Sequence, residues 1–190
     1  MLSAREAATS LYGAYRLARF DARAMTYFET SLAGFWRSFY AAVIVAPLYA
    51  VLLLLRHGAG ETAVDGVRFA SVEAIAYVIA WVAFPLVMVY LVRVLNREER
   101  YLGYIVAYNW ASVLQNGLYL PLVMLGVAGV IPAETAGPLS LIALLLIFVY
   151  GCFIAKVALD VGAGTAVALV ALDLVLSVII DIVASRMLML

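Results

Sequence analysis

The stretch Tyr101-LGYIVAYNWASVLQNGLYLPLVMLGVAG-Val130 decides the fold. It is long and apolar enough to cross a bilayer, yet it carries Asn109, Ser112, Gln115, Asn116 and Tyr119 near its middle. At about 100° per residue, a helix over this stretch puts Tyr101, Tyr104, Tyr108, Ser112, Gln115 and Tyr119 on one stripe. Asn109 and Asn116 lie on its flank. An amide turned to lipid would leave its donors and acceptors unpaired, at a cost of several kcal/mol. The stripe is therefore expected to face other helices. It serves either as interhelical hydrogen-bond glue or as the lining of a substrate or ion cavity. Pro121 removes one backbone hydrogen bond and is expected to kink the outer half.

Hydrophobic residues make up 67% of the 190 residues, against roughly 45–50% in soluble domains. Several runs reach the ~20 apolar residues that span a membrane. The fold class is all-α: a polytopic membrane bundle of five transmembrane helices preceded by an N-terminal amphipathic interfacial helix. The spans read as 35–55, 69–95, 101–130, 138–159 and 165–188. They form one transmembrane domain over 35–190, after a cytoplasmic amphipathic segment over 1–34. The net charge is zero, so nothing points to nucleic acid. No zinc spacing, P-loop or glycine-rich nucleotide fingerprint occurs; no metal or other cofactor is expected. The single Cys152 lies in an apolar run and cannot form an internal disulfide. Lys156 is the only lysine. The wealth of Ala, Val and Leu suggests a GC-rich bacterial coding sequence.

Residues 1–34 do not read as a signal peptide, because no apolar core follows the first charges. Glu6, Asp21 and Glu29 argue against a mitochondrial transit peptide. Ser3 and Glu6 fit a capping box. Leu11, Tyr15, Ala18, Ala22 and Met25 repeat at helical spacing, and Arg16, Arg19 and Arg23 form a separate stripe. The pattern predicts a helix lying in the interface with its arginines on anionic head groups; a solvated helix packed on cytoplasmic loops is the plainer alternative. Phe35, Trp36, Phe39 and Tyr40 form an aromatic belt where the first span begins. Pro47 and Pro85 are expected to kink the first and second spans. His57 beside Glu61 and Asp65 is a metal cue of low specificity in a loop with Gly60. Glu73, Tyr77 and Trp81 share a face of the second span. The short turn Asn96–Arg100 predicts that the second and third spans are antiparallel neighbours.

In the fourth span Gly151 and Ala155 form a small-xxx-small pair that admits a close helix. Lys156 and Asp160, four apart, read as an interfacial ion pair or as a cytoplasmic mouth. In the fifth span Asp173, Ser177 and Asp181 share one face, extended by Thr165 and Ser185. Asp173 falls near the midplane, where an ionised carboxylate costs about 2.5–3.5 kcal/mol. It should face the bundle, bond to amides or tyrosines of the third span, or be protonated.

Arg5, Arg16, Arg19, Arg23, Arg37, Arg93, Arg97, Arg100 and Lys156 collect on one side of this topology, against Arg56, Arg68 and Arg186 on the other. The positive-inside bias puts the N-terminus in the cytoplasm and the C-terminus outside, in a bacterial inner membrane.

Phe20-Asp21-Ala22-Arg23-Ala24 before the first span, Gly103-Tyr104 at the start of the third, and the spacing of five spans resemble the Yip family (Ypt/Rab-GTPase-interacting proteins) and its bacterial relatives. Ala22 stands where the family pattern has proline. The resemblance implies a five-helix membrane protein with a cytoplasmic N-terminal region; eukaryotic members are linked to vesicle traffic and membrane shaping.

Three functional classes follow. The first is a non-enzymatic membrane scaffold or complex subunit, with membrane lipids, a second copy or a larger complex as partners. The second is a small proton- or ion-coupled transporter, with Asp173 and Asp181 titrating and Asn109, Gln115 and Asn116 lining the path. The third, an intramembrane enzyme, is disfavoured. Asp173 and Asp181 lie about 12 Å apart along one helix, too far to share a proton, so no catalytic residue is expected.

Overall fold

The computed structural model describes residues 2–58 and 65–189. Seven α-helices follow in order: α1 (Ala4–Ala18), α2 (Leu32–Ser38), α3 (Tyr40–Gly58), α4 (Gly66–Val94), α5 (Tyr101–Val127), α6 (Ala133–Leu159) and α7 (Ala163–Met189). Two 3₁₀ turns lie at Ala22–Tyr27 and Glu98–Arg100, and no strand occurs among the described residues. Five helical segments of 27–30 residues are apolar enough to span: 32–58, 66–94, 98–127, 133–159 and 163–189. The chain is an integral membrane protein with five candidate spans. At about 1.5 Å per residue each exceeds the ~30 Å hydrocarbon core, so it tilts or projects. The third span ends at Val127 rather than Val130. Gly129, at φ +68°, turns the chain there, and the Val130 amide closes back on the Leu125 carbonyl.

Helix α1 starts where Ser3 Oγ accepts the Glu6 amide at 3.1 Å. The reciprocal half of a capping box is replaced. Glu6 Oε1 accepts from Arg37 Nε at 2.6 Å, and Arg37 Nη2 donates to Glu29 Oε2 at 2.6 Å. Arg37 thus ties α1 and the segment before α2 to the first span. The buried face of α1 is Ser10, Gly13, Ala14 and Leu17, packed on α5, on α6 and on the 3₁₀ turn that follows, where Tyr27 and Phe28 lie closest to Gly13. Tyr150 of α6 donates to the Ala14 carbonyl at 2.7 Å.

This corrects the expected stripe. Tyr15 and Ala18 are exposed, and the helix stops at Ala18, so it never reaches Ala22 or Met25. Small residues make the contact because they let the helices approach closely. Phe20 leaves α1 in the left-handed region (φ 59°), with its ring edge-on to Phe153 at 5.2 Å.

Helix α5 is the hub. From Gly103 to Ser112 every residue but Tyr108 is buried, under α1, α2, α3 and α6. Helices α4 and α5, joined by a short turn, meet as expected, through side chains. Phe84 lies 6.3 Å from the Tyr104 ring and 5.1 Å from the Tyr108 ring, and Tyr101 donates to the Pro85 carbonyl at 3.0 Å. The more extensive backbone packing of α4 is on α7. Phe69 and Val72 meet Ala184 and Leu188 there, and Arg68 donates to the Met187 carbonyl at 2.7 Å. Helix α6 packs on both α5 and α7, with Val170 seated over Gly151. Pro47, Pro85 and Pro121 all lie inside continuous helices.

One large core fills the α1 end of the bundle. The far end holds two smaller cores, one on α4–α7 and one built around Val45, Leu52 and Leu120.

A Cβ on Gly34 would lie 2.1 Å from the Glu29 carbonyl oxygen, a backbone atom with nowhere to go. Gly34→Ala is expected to cost about 1–3 kcal/mol by overpacking. Gly117→Ala, where a Cβ meets open space, is expected to leave stability equal or up to ~1 kcal/mol higher. Equilibrium unfolding of the two variants in mixed micelles checks both.

Candidate intramembrane polar site

The polar residues of α5 separate into three groups. Asn109 is fully buried (0% exposed). Its Nδ2 donates to Ser38 Oγ at 2.8 Å, and Ser38 in turn donates to the Phe35 carbonyl at 2.7 Å. Asn109 Oδ1 has no hydrogen-bond partner among the described residues. Ser112 and Asn116 bond to their own helix: Ser112 Oγ donates to the Tyr108 carbonyl at 2.9 Å, and Asn116 Nδ2 to the Ser112 carbonyl at 2.8 Å. Glue between helices therefore describes Asn109 but not these two. Their side chains fold back on carbonyls one turn earlier, as hydroxyls and short amides can do in lipid. Tyr119 packs against the far-end core.

Tyr108 and Gln115 turn the other way. Tyr108 donates its hydroxyl to Asp173 of α7, 3.0 Å from Oδ2 and 3.1 Å from Oδ1. The tyrosine alternative for Asp173 is thus the one observed. Tyr104, Tyr108, Gln115, Gly151, Ile154 and Asp173 border a cavity of about 40 Å³ between α5, α6 and α7, enough for water. Asn109 belongs to the α2–α5 contact, away from this cavity. Ser177 donates to the Asp173 carbonyl at 3.0 Å. Asp181, two turns beyond, is exposed.

A second polar group lies nearer the far end. Tyr49 of α3 donates to Glu73 Oε2 of α4 at 2.7 Å. The rings of Tyr49 and Tyr77 stack with centroids 4.9 Å apart, and Tyr77 donates to the Ala42 carbonyl at 2.6 Å. Asp181 and Arg56 act electrostatically on the same cluster. Sequence reading found the Glu73, Tyr77 and Trp81 face but missed Tyr49. A lone tyrosine in an apolar run carries no helical partner of its own.

One further expectation changes. Asp160 does not pair with Lys156. Its left-handed backbone (φ 53°) turns the carboxylate to Arg100 at 3.4 Å, while Arg97 Nε donates to the Leu159 carbonyl at 3.1 Å. Arginines on the α4–α5 turn thus clip the end of α6, and Lys156 is exposed. His57 stacks on Phe69 at 5.3 Å. No metal-holding group occurs among the described residues; Gly60 and Glu61 of the expected loop cue lie outside them.

Arg16, Arg19 and Arg23 do not form one stripe. Arg16 pairs with Asp21 and donates to the Tyr12 hydroxyl at 3.2 Å. Arg19 lies over the Tyr15 ring at 5.9 Å, and Arg23 is exposed in the 3₁₀ turn. Burial pushes the Asp21 carboxyl up, but the Arg23 amide and the Arg16 guanidinium outweigh it and hold the group below its ordinary range.

The chain matches no family model, and no curated protein or solved structure is significantly similar to it.

Asn109→Ala removes an interhelical bond and is expected to cost about 0.6–1.7 kcal/mol. Asn116→Ala removes only a bond within its own helix and is expected to be neutral, or to stabilise by up to ~0.7 kcal/mol through helix propensity. Unfolding equilibria of the two variants side by side distinguish these outcomes.

Proposed function

We propose that the chain is a Yip-like, non-enzymatic membrane scaffold, or the scaffolding subunit of a membrane complex, seated in a bacterial inner membrane. Its N-terminus lies in the cytoplasm and its C-terminus outside. The observation that carries this reading is the joint between the N-terminal unit and α5. Asp21, in the first of the two stretches that resemble the family, caps the 3₁₀ turn by accepting the Arg23 amide at 3.0 Å. Gly103, in the second, receives Thr30; a Cβ there would sit 3.1 Å from Thr30 Cγ2. Both stretches serve to seat the N-terminal unit on the bundle.

That seating leaves one surface outward. Tyr12, Tyr15, Phe20, Leu32 and Trp36 are exposed, Trp36 at 65%, beside the outward Arg19 and Arg23. Aromatic rings with arginines suit the head-group layer. The α4–α5 and α6–α7 turns, with Arg93, Arg97, Arg100 and Lys156, lie at the same end, which supports a cytoplasmic face by the positive-inside rule.

Lipid contact is tested on the full chain in nanodiscs of mixed anionic and zwitterionic lipid, by native mass spectrometry of what it retains. Each arginine near an anionic surface is worth about 1 kcal/mol. Charge reversal of Arg19 and Arg23 to glutamate is expected to lower retention of anionic lipid about fivefold per residue; unchanged retention would remove the lipid-facing role. A stoichiometric protein retained with the wild type would identify the complex. For topology, a C-terminal phosphatase fusion is expected to be active and a C-terminal fluorescent protein dark.

A further inference from the structure

Asp173 lies ten residues into α7, about 15 Å along the helix axis and so near the middle of the hydrocarbon. Its carboxyl group can accept about four hydrogen bonds when ionised. It receives one side-chain donor, the Tyr108 hydroxyl, whose single proton is shared between two oxygens at 3.0 and 3.1 Å. Among the described residues no arginine, lysine or histidine bonds to it. The titratable groups nearest it are neutral. From α5 they are Tyr104 and Tyr108, and from α6 Cys152, beside Tyr104. On the flank shared with α4, two turns away, Asp181 lies within the influence of Glu73 and of the Arg56 guanidinium. An unpaired carboxylate in such surroundings lacks both a counter-charge and most of its donors.

The cavity is the second observation. It opens on Asp173 itself, with the Gln115 amide on its wall. On the α6 side Gly151, with Val170 of α7 packed over it, completes the wall. Water there has Asp173, Gln115 and two tyrosine hydroxyls to bond to. Ser177 and Asp181 continue the polar face of α7 toward the far end, where both are exposed.

From this geometry we infer that Asp173 is a proton-binding site: it holds a proton in the resting membrane and exchanges it through water in the adjoining cavity. The protonated carboxyl donates its own hydrogen into the cavity while still accepting from Tyr108, so one added proton supplies both the missing charge and the missing donor. The inference is independent of the lipid-facing surface at the α1 end, and neither result bears on the other. It provides the titrating group that a proton-coupled carrier would need.

The test is modification of the full-length protein in nanodiscs with dicyclohexylcarbodiimide, which reacts with protonated carboxyls in apolar surroundings. The acid protonates a carbodiimide nitrogen, the carboxylate oxygen adds to the central carbon, and the O-acylisourea rearranges to a stable N-acylurea. Peptide mass spectrometry is expected to find that adduct on Asp173 at neutral pH, in large excess over Asp181 and Glu73, with labelling falling as the medium is made alkaline. Asp173→Asn has the shape of the protonated acid and is expected to fold normally. It should lose the adduct, together with a carboxylic C=O infrared band that shifts in heavy water. Failure to label Asp173 at neutral and acid pH, with no such band, would overturn the assignment. So would protection by sodium at fixed pH but not by a bulky organic cation, because the site would then hold a metal cation instead of a proton.

Discussion

Hydrocarbon offers no hydrogen-bond partner, so every donor and acceptor that α5 carries into the membrane must be satisfied by protein or by enclosed water. The structure meets most of that constraint by surrounding the first part of α5, with Asn109 Oδ1 left without a hydrogen-bond partner among the described residues. Helices α1, α2, α3 and α6 cover it from Gly103 to Ser112, and Asn109 finds Ser38. Tyr108, the one residue of that run not fully covered, reaches across to Asp173. The same side chains carry the contact with α4. Tyr104 and Tyr108 meet Phe84 there. Helix α4 makes its larger contact with α7, although α7 lies last in the chain.

The two ends of the bundle differ as a consequence. At the α1 end a single core and the Arg97 clip to the end of α6 join all the elements, and Arg37 anchors the N-terminal unit through Glu6 and Glu29. At the far end the α3–α5 and α4–α7 cores are separate. Between α3 and α4 they are bridged by Tyr49, Glu73 and Tyr77 rather than by close packing. Asp173 sits beyond the large core and before the split. A polar group at that depth has protein on one side and a polar route of α7 residues on the other. The α1 end is thus joined by one continuous core, and the partly buried Asp173 lies nearer the end where the core divides.

How much of this was legible in the sequence follows from which physical effect set each feature. The five spans were legible because membrane crossing depends on length and hydropathy, which are local. The polar face of α7 and the burden on α5 were legible because helical periodicity is also local. What each polar group bonds to was not. Ser112 and Asn116 belong to the same polar run as Asn109, yet they bond to carbonyls of their own helix while Asn109 bonds across to Ser38. The buried face of α1 was misread for a related reason. Ser10, Gly13 and Ala14 count as weakly apolar, but their small size, not their hydropathy, suits them to close contact. The pairing of α4 with α7 was hidden because nothing local in either span marks which distant helix it meets. Asp160 shows the same limit at a single residue, since its left-handed backbone redirects a side chain that helical spacing had assigned to Lys156.

The central claim is that α4 packs on the C-terminal helix α7. Disulfide trapping in native membranes tests it most directly, using Val72→Cys with Ala184→Cys in a chain whose own Cys152 has been replaced by alanine. Both positions are buried in one apolar cluster between α4 and α7, so oxidation should close an intramolecular bridge within the reach of disulfide geometry. Gly151→Cys with Val170→Cys, across the close α6–α7 contact, serves as the reference pair. Bridging of both pairs is the predicted result. A reference pair that closes while the Val72–Ala184 pair stays reduced would contradict the account.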